Sequence, residues 1–246
     1  MDVLTTMKQA GQALYRMFVP ITCPVCGKRM GTAEQACCTE CLLTLPYTHL
    51  KGAKSNAVER LFWGQFPIER ASAWLYYHRG SASRQLIFDL KYHNRPNLGR
   101  QLGRLVGTDL AGTDFFRTID LLVPVPLSKR RQRQRGYNVC GGLAQGVADL
   151  CNLPVCKEAV RRVVDNPTQT KLLPYLRKEN VKGIFTVPQP ERIKGRHILL
   201  IDDIITTGAT VTSCAQALSD AGAERISILA LAVSAHLRRT PPPIQE

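Results

Sequence analysis

Two adjacent carboxylates followed by a hydroxyl-rich turn form the most chemically distinctive stretch of this sequence. Asp202 and Asp203 end an apolar run that begins at His197, and a Thr-Thr-Gly-Ala-Thr turn follows at 206–210. The apolar run predicts a strand that is buried on both faces, as in parallel sheets. Ligands of open α/β sheets bind beyond the carboxyl ends of such strands. The turn can direct backbone N–H groups, hydroxyls and a helix N-terminus at an anion such as a phosphate.

The same stretch resembles the phosphoribosyl-pyrophosphate (PRPP) motif of type I phosphoribosyltransferases. The resemblance implies that Asp202 and Asp203 hold the ribose 2′- and 3′-hydroxyls. An ordinary strand–loop–helix unit with solvated acids is the alternative, but acids at the end of a buried strand then carry a desolvation cost without a use. The residues that the resemblance assigns to the 5′-phosphate are Thr206, Thr207, Gly208, Ala209 and Thr210.

Cysteines indicate a second kind of chemistry near the start of the chain. Cys23 and Cys26 form one Cys-x-x-Cys pair, and Cys38 and Cys41 form another. Two such pairs predict a tetrahedral, four-thiolate zinc site of the closed, structural kind. Cys37 abuts Cys38 and is an alternative third ligand, and a redox dithiol or plain thiols are the other interpretation. The remaining cysteines are spaced like core residues and are expected to pack: Cys140, Cys151, Cys156 and Cys214.

Composition bounds the class of protein. The chain has 246 residues, of which 44% are hydrophobic, which suits one substantial domain with a small module. Lys8 and Arg16 interrupt the apolar positions at the start, so we expect no secretory signal, and no apolar run approaches the roughly 20 residues of a membrane span. We expect a cytoplasmic protein. The formal net charge of +14 favours polyanionic partners, either nucleic acid or phosphorylated small molecules.

A basic segment follows a second predicted buried strand at 120–125. A Val-Pro-Val-Pro turn at 123–126 fixes the backbone, and five basic residues lie between Lys129 and Arg135. We interpret this segment as a loop that contacts phosphates, because it follows a strand end. A solvated charge run is an equal alternative.

The remaining pattern predicts an α/β domain at 71–235, preceded by an N-terminal helix and four-cysteine module at 1–50 and a connector at 51–70, and followed by a disordered tail at 236–246. We predict that Thr207 caps the helix after the turn. Predicted strands are 71–77, 155–164 (a strand or strand pair), 184–187 and 226–233. Predicted helices are 81–92, 98–110 and one from Gly136 onward, whose apolar face is Val139, Leu143, Val147 and Leu150.

Three late motifs, taken in order, narrow the resemblance to the ComF family, which includes the GntX-type proteins. They are Val-Pro-Val-Pro with Arg-Gly-Tyr-Asn at 135–138, Asn-Pro-Thr-Gln-Thr at 166–170 with Arg177 and Asn180, and the stretch at 201–210. The resemblance implies a type I phosphoribosyltransferase-like, mostly parallel sheet flanked by helices, with a small zinc module. Some family members are required for DNA uptake in natural competence.

The resemblance also assigns roles and leaves two functions open. One is a phosphoribosyltransferase that uses PRPP with Mg²⁺. The other is a non-catalytic protein that senses PRPP or binds single-stranded DNA, with a DNA-uptake helicase or recombination proteins as partners. The acceptor would be read by 71–117 or by nothing, and no general base is evident. Residues that face pyrophosphate would be Val125, Pro126, Lys129, Arg130 and Arg135, and residues of a closing loop would be Gln169, Lys171, Arg177 and Asn180.

Overall fold

The computed structural model describes residues 21–93, 95–164 and 183–239. Helices and strands alternate along most of this part of the chain, as an α/β fold requires. In chain order they are α1 (Thr39–Leu43), α2 (Ala57–Arg60), β1 (Ala71–Tyr77), α3 (Ala82–Tyr92), α4 (Pro96–Ala111), β2 (Leu121–Pro124), α5 (Lys129–Arg135), α6 (Val139–Cys151), β3 (Arg161–Arg162), β4 (Phe185–Thr186), β5 (His197–Ile205), α7 (Ala209–Asp220) and β6 (Arg225–Ser234).

A four-stranded parallel sheet forms the centre of the fold, with the order β1-β6-β5-β2. Strand β5 is buried on both faces because its apolar side chains alternate between two cores. Ile198 and Leu200 pack with α7 on one face, and Leu199 and Ile201 pack with α3, α4 and α6 on the other. Strand β2 stops at Pro124, opposite Ile201, so Asp202 is the first residue of β5 beyond its last pair with β2.

Helices α4 and α6 pack unusually close together because glycines line their contact. A Cβ atom at Gly103 would collide with the carbonyl oxygen of Leu143, and one at Gly146 would collide with that of Arg100. The contact is reinforced where Arg100 and Arg104 both bind Asp149, with Nε–Oδ2 distances of 2.7 and 2.9 Å.

Residues 51–70, predicted as a connector, are packed into the domain. Val58 and Phe62 are buried in the same core as α7. Buried Arg70 lies 3.8 Å from Glu59 and 3.2 Å from Asp114, which ties this segment to the end of α4. The segment is therefore an integral part of the folded domain.

Three local predictions differ from the structure. The basic segment from Lys129 is a helix rather than a loop, because Ser128 caps it and Gly136 ends it in the left-handed conformation at φ +79°. Gly208, not Thr207, is the N-cap of α7, and it adopts the left-handed conformation. Thr207 therefore lies one residue before the cap, with its hydroxyl oxygen 3.5 Å from the backbone nitrogen of Ala209. Leu150 is exposed.

Other boundaries shift. Within 155–164 only Arg161–Arg162 forms a strand, paired antiparallel with Phe185–Thr186. The tail predicted from 236 begins in a short 3-10 helix, Ala235–Arg239. The predicted helix before residue 21 and the tail after 239 lie outside the described residues. Within the described ranges, no helix has the length and apolar character needed to cross a membrane.

Candidate functional site

The two acidic residues predicted to act together occupy different environments. Side chains alternate along a strand, so Asp202 and Asp203 leave β5 toward opposite faces. Asp202 is only 9% exposed, and its Oδ1 accepts a 2.8 Å hydrogen bond from the backbone N–H of Asp203. Asp203 is partly exposed, and its Oδ1 lies 2.9 Å from Nζ of Lys91 on α3. The pair is thus one buried acceptor beside one acceptor already held by a cation.

The electrostatics of Asp202 follow from its burial. Loss of water, together with the neighbouring charge of Asp203, raises the pKa of Asp202 to about 7. The thiol of Cys140, on α6, donates to Oδ1 of Asp202 at 3.6 Å. Burial raises the pKa of Cys140 well above its usual value, so it donates as a neutral thiol. Neither Cys140 nor Lys91 was predicted to contact the acid pair, because contacts across 62 and 112 residues leave no local pattern in a sequence.

The predicted phosphate turn lies directly after the acid pair. Thr206, Thr207 and Thr210 are exposed, and Gly208 adopts φ +79°. Helix α7 starts at Ala209 without a side-chain cap and is 12 residues long. Its first backbone N–H groups are therefore available to an anion at the positive end of the helix. A Cβ at Gly208 would lie 3.0 Å from Cε1 of Phe62, so this residue of the 51–70 segment packs against the turn.

The Pro-Val-Pro turn lies next to the acid pair, and α5 follows the turn. The Val125 N–H donates to the carbonyl of Ile201 at 2.9 Å, and Asn138 donates to the carbonyl of Val125 at 3.1 Å. Val125 is buried and Pro126 half-buried, whereas Lys129 and Arg130 are exposed on α5. Arg135, at the end of α5, lies 5.7 Å over the ring of Tyr92. The structure therefore brings the Pro-Val-Pro turn beside β5, and the predicted basic segment that follows the turn is a helix.

A basic groove of about 700 Å³ adjoins this turn. It runs between α5, α6 and β3, and Glu158 is the acidic side chain among its lining residues. Lys129 and Arg133 were predicted to contact anions. The other basic residues of the groove were not, because they are scattered along the chain. The basic residues that line it are Arg100, Lys129, Arg133, Lys157, Arg161 and Arg162.

The predicted closing loop lies outside the described residues, and with it Gln169, Lys171, Arg177 and Asn180. The described strands on either side of that segment, β3 and β4, pair with each other through Arg162 and Phe185.

The predicted cysteine ligands come together. The sulfur atoms of Cys23, Cys26, Cys38 and Cys41 all lie within 4.8 Å of one another. Those of Cys26 and Cys38 are 3.6 Å apart, close to the edge of about 3.8 Å expected for a tetrahedron with 2.3 Å zinc–sulfur bonds. Gly27 adopts φ +75°, and its N–H donates to Cys23 O, forming the tight turn such a site needs. The donor set fits zinc.

Cys37 lies outside this cluster, although it is adjacent to Cys38. It is only 3% exposed, and burial raises the pKa of its thiol to about 12. The structure therefore favours Cys38 over Cys37 as the third ligand.

Comparison with known proteins agrees with this geometry. Residues 135–244 match the family model of the phosphoribosyl transferase domain. The chain is 30% identical to the DNA utilization protein YhgH of Escherichia coli K12 over 212 residues, which cover 85% of this chain and 88% of the relative. This chain belongs to the ComF/YhgH family. It is also 34% identical to competence protein F of Haemophilus influenzae over 60% of this chain and 66% of that protein. With competence protein ComFC of Bacillus subtilis it shares 33% identity over 42% of this chain and 39% of that protein.

Membership of the ComF/YhgH family confirms the resemblance that the three motifs indicated, and with it the parallel α/β sheet of the phosphoribosyltransferase class. The domain implies a ligand of the PRPP type. The matched segment contains β5, the acid pair and the turn before α7, but it begins after β1, α3 and β2. Lys91 and the Pro-Val-Pro turn thus complete the neighbourhood of the site from outside the matched segment.

Proposed function

We propose that this protein binds PRPP with Mg²⁺ at the carboxyl end of β5. One observation carries the proposal: the buried Asp202 and the partly exposed Asp203 lie just before an exposed hydroxyl turn at the N-terminus of a 12-residue helix that starts without a side-chain cap. This arrangement offers hydrogen-bond acceptors for sugar hydroxyls beside donors for a phosphate. A sugar phosphate needs acceptors for its hydroxyls and, next to them, donors for its phosphate.

Each part of PRPP has a partner in this proposal. The carboxylates of Asp202 and Asp203 accept hydrogen bonds from the ribose hydroxyls. The turn binds the 5′-phosphate through its hydroxyls and the N–H groups of α7. Val125, Pro126, Lys129, Arg130 and Arg135 face the pyrophosphate. Gln169, Lys171, Arg177 and Asn180 belong to the loop that covers the ligand. Mg²⁺, when bound, offsets the charge of the pyrophosphate and helps it to leave.

Turnover would make this protein a phosphoribosyltransferase, in which a ring nitrogen or amine attacks the anomeric carbon as pyrophosphate departs. The role of the chain's residues is to orient the ribose and to exclude water, since water would otherwise intercept the cationic sugar. If PRPP is not consumed with any base or amine, the protein is a PRPP sensor.

Calorimetric titration of PRPP with Mg²⁺ tests the binding proposal. Replacing both Asp202 and Asp203 with Ala should weaken binding by more than about tenfold, because hydrogen bonds to charged groups contribute about 1.5–3 kcal/mol each. Asp220→Ala is a matched control, since Asp220 is exposed at the far end of α7. Equal affinity in the double variant and the control would contradict the assignment.

The basic groove favours a second function, binding of single-stranded DNA, which agrees with the names of the relatives. A basic groove that follows the backbone and aromatic rings for base stacking are the usual combination. Tyr137 lines the groove, and the exposed ring of Tyr92 on α3 lies 4.8 Å from that of Phe88, at an interplanar angle of 43°. A DNA-uptake helicase or a recombination protein is the class of protein partner that this function would require.

Salt dependence tests the second function. Replacing Lys129, Arg133 and Arg161 with Ala should reduce the slope of log affinity for single-stranded DNA against log salt by about 2, since each phosphate contact contributes about 0.7. Arg192→Ala is the control, because Arg192 is exposed outside the groove. An unchanged slope, or no salt-dependent binding by the unmodified protein, would remove this function.

We also propose that zinc occupies the four-cysteine cluster and holds residues 21–45 in place. The module has a small core of its own, made of Cys23, Cys38 and Cys41 of the cluster with Cys37 and Met30. A core of this size does not stabilise a fold without a further link. Zinc would supply that link.

A further inference from the structure

Lys91 reaches the acid pair from a distant part of the chain. Its Nζ lies 2.9 Å from Oδ1 of Asp203, across 112 residues of sequence. The side chains of Lys91 and Asp203 are 20% and 13% exposed, so the ion pair is largely shielded from water. Screening by salt is weak for such a pair, unlike that of a surface ion pair.

The helix that carries Lys91 is firmly placed. Ser81 caps α3, and Leu86, Ile87 and Leu90 bury its inner face. The Tyr137 hydroxyl donates to the carbonyl of Leu90 at 2.5 Å, which fixes the last turn of α3 against the segment that follows α5. The position of the Lys91 side chain is therefore set by the fold rather than by its own flexible stem.

Two further titratable groups in the described part of the chain lie against Asp202, and neither carries a positive charge. They are Cys140 on α6 and Cys214 on α7, and burial raises the pKa of both thiols. The two carboxylates repel each other, as the effect of Asp203 on the pKa of Asp202 shows. Lys91 acts in the opposite direction and lowers the pKa of Asp202.

We propose that Lys91 is a positioning residue of the ribose site, whose charge allows both carboxylates to accept hydrogen bonds from the hydroxyls of the ligand. A protonated carboxyl group has less acceptor capacity, and a second unpaired carboxylate beside a buried one is costly. By pairing with Asp203, Lys91 removes that cost before the ligand arrives. This inference rests on the proposed binding of PRPP.

The test is the pH dependence of PRPP–Mg²⁺ binding, measured by calorimetry between pH 6 and pH 9. Lys91→Met removes the charge and keeps most of the stem; Lys91→Arg keeps the charge. Loss of the charge raises the pKa of Asp202 above its value of about 7, so Lys91→Met should bind several times more weakly at pH 7. Its affinity should approach that of the unmodified protein at pH 9, where the carboxylates of both proteins are ionised.

Lys91→Arg should retain most of the pH profile of the unmodified protein, and the control Lys194→Met, at an exposed position, should match it fully. A merely structural role for Lys91 would weaken binding equally at every pH, and that result would overturn the inference. An unchanged profile in Lys91→Met would do the same while leaving the proposed function intact. Absence of binding by the unmodified protein at all pH values would instead overturn the proposed function and this inference together.

Discussion

The thiol of Cys140 lies 3.6 Å from Oδ1 of Asp202, and both side chains are buried. A neutral thiol is a weak donor, so this contact compensates only part of the cost of burying a carboxylate. The buried carboxylate of the ligand-free site therefore lowers the stability of the folded protein. Functional sites commonly carry such a cost.

Asp202→Asn should stabilise the ligand-free protein at pH 8. The pKa of Asp202 rises from 3.8 to about 7 on folding, so the folded state binds more protons between these values. The contribution of Asp202 to stability therefore falls as the pH rises through this window. Asn keeps the Oδ1 acceptor without the charge, and the expected gain at pH 8 is about 1–3 kcal/mol, with a smaller gain at pH 5.

Urea denaturation at the two pH values measures this gain. Asp220→Asn, at an exposed site, should change the free energy of unfolding by less than about 0.5 kcal/mol at either pH. A gain for Asp202→Asn that is equal at pH 5 and pH 8 would show that the charge of Asp202 is not its cause.

Cys38→Ser and Cys37→Ser should differ sharply in metal content. The sulfur of Cys38 lies in the four-cysteine cluster and that of its neighbour does not. Elemental analysis of the purified proteins should find zinc in Cys37→Ser and none or little in Cys38→Ser. Cys38→Ser should also lose the folded N-terminal module, since structural zinc supplies about 10–16 kcal/mol in small zinc-dependent folds. Equal zinc in the two variants would contradict the ligand assignment.

Gly146→Ala should destabilise the contact between α4 and α6. The added methyl group collides with backbone, namely the carbonyl of Arg100, so no side chain can move aside. We expect a loss of about 1–3 kcal/mol in the free energy of unfolding. Gly112→Ala is the control, because a Cβ there meets nothing within 4 Å and φ is −81°. Similar values for the two variants would mean that the helices can separate without cost.

Gly208→Ala should weaken PRPP binding beyond its effect on stability. The variant strains a left-handed residue, at a cost of about 1 kcal/mol, and its methyl group presses on the ring of Phe62 at 3.0 Å. The phosphate turn must then shift. Gly64→Ala carries the same backbone strain at φ +70° but has open space around it. Thermal melts should therefore show comparable losses, whereas calorimetry should show weaker binding only for Gly208→Ala.

Much of the sheet could be predicted because its strands are buried on both faces. The continuous apolar runs at 197–201 and 226–233 predict β5 and β6, and the segment predicted at 71–77 coincides with β1. The four-cysteine cluster was predictable because two Cys-x-x-Cys pairs lie close together in the sequence, although the spacing left Cys37 open as an alternative to Cys38.

Features that depend on distant contacts could not be predicted. Helix α5 has no apolar stripe, because every residue from Lys129 to Arg135 is polar, and only its two ends mark it as a helix. Phe62 lies in a segment whose mixed polar residues and scattered aromatics resemble a connector, yet its ring contacts Gly208 far along the chain. The contact of Lys91 with Asp203 could not be predicted, because nothing near Lys91 in the sequence marks it.

The strand order β1-β6-β5-β2 determines how much of the chain a fragment must contain to keep the whole sheet. The two middle strands come from the second half of the chain, and both outer strands come from the first half. A fragment cut at residue 135 would keep β5 and β6 but expose the edges that β1 and β2 cover, and exposed edges recruit other chains. A fragment that keeps all four strands must therefore start no later than Ala71, well before the matched segment begins.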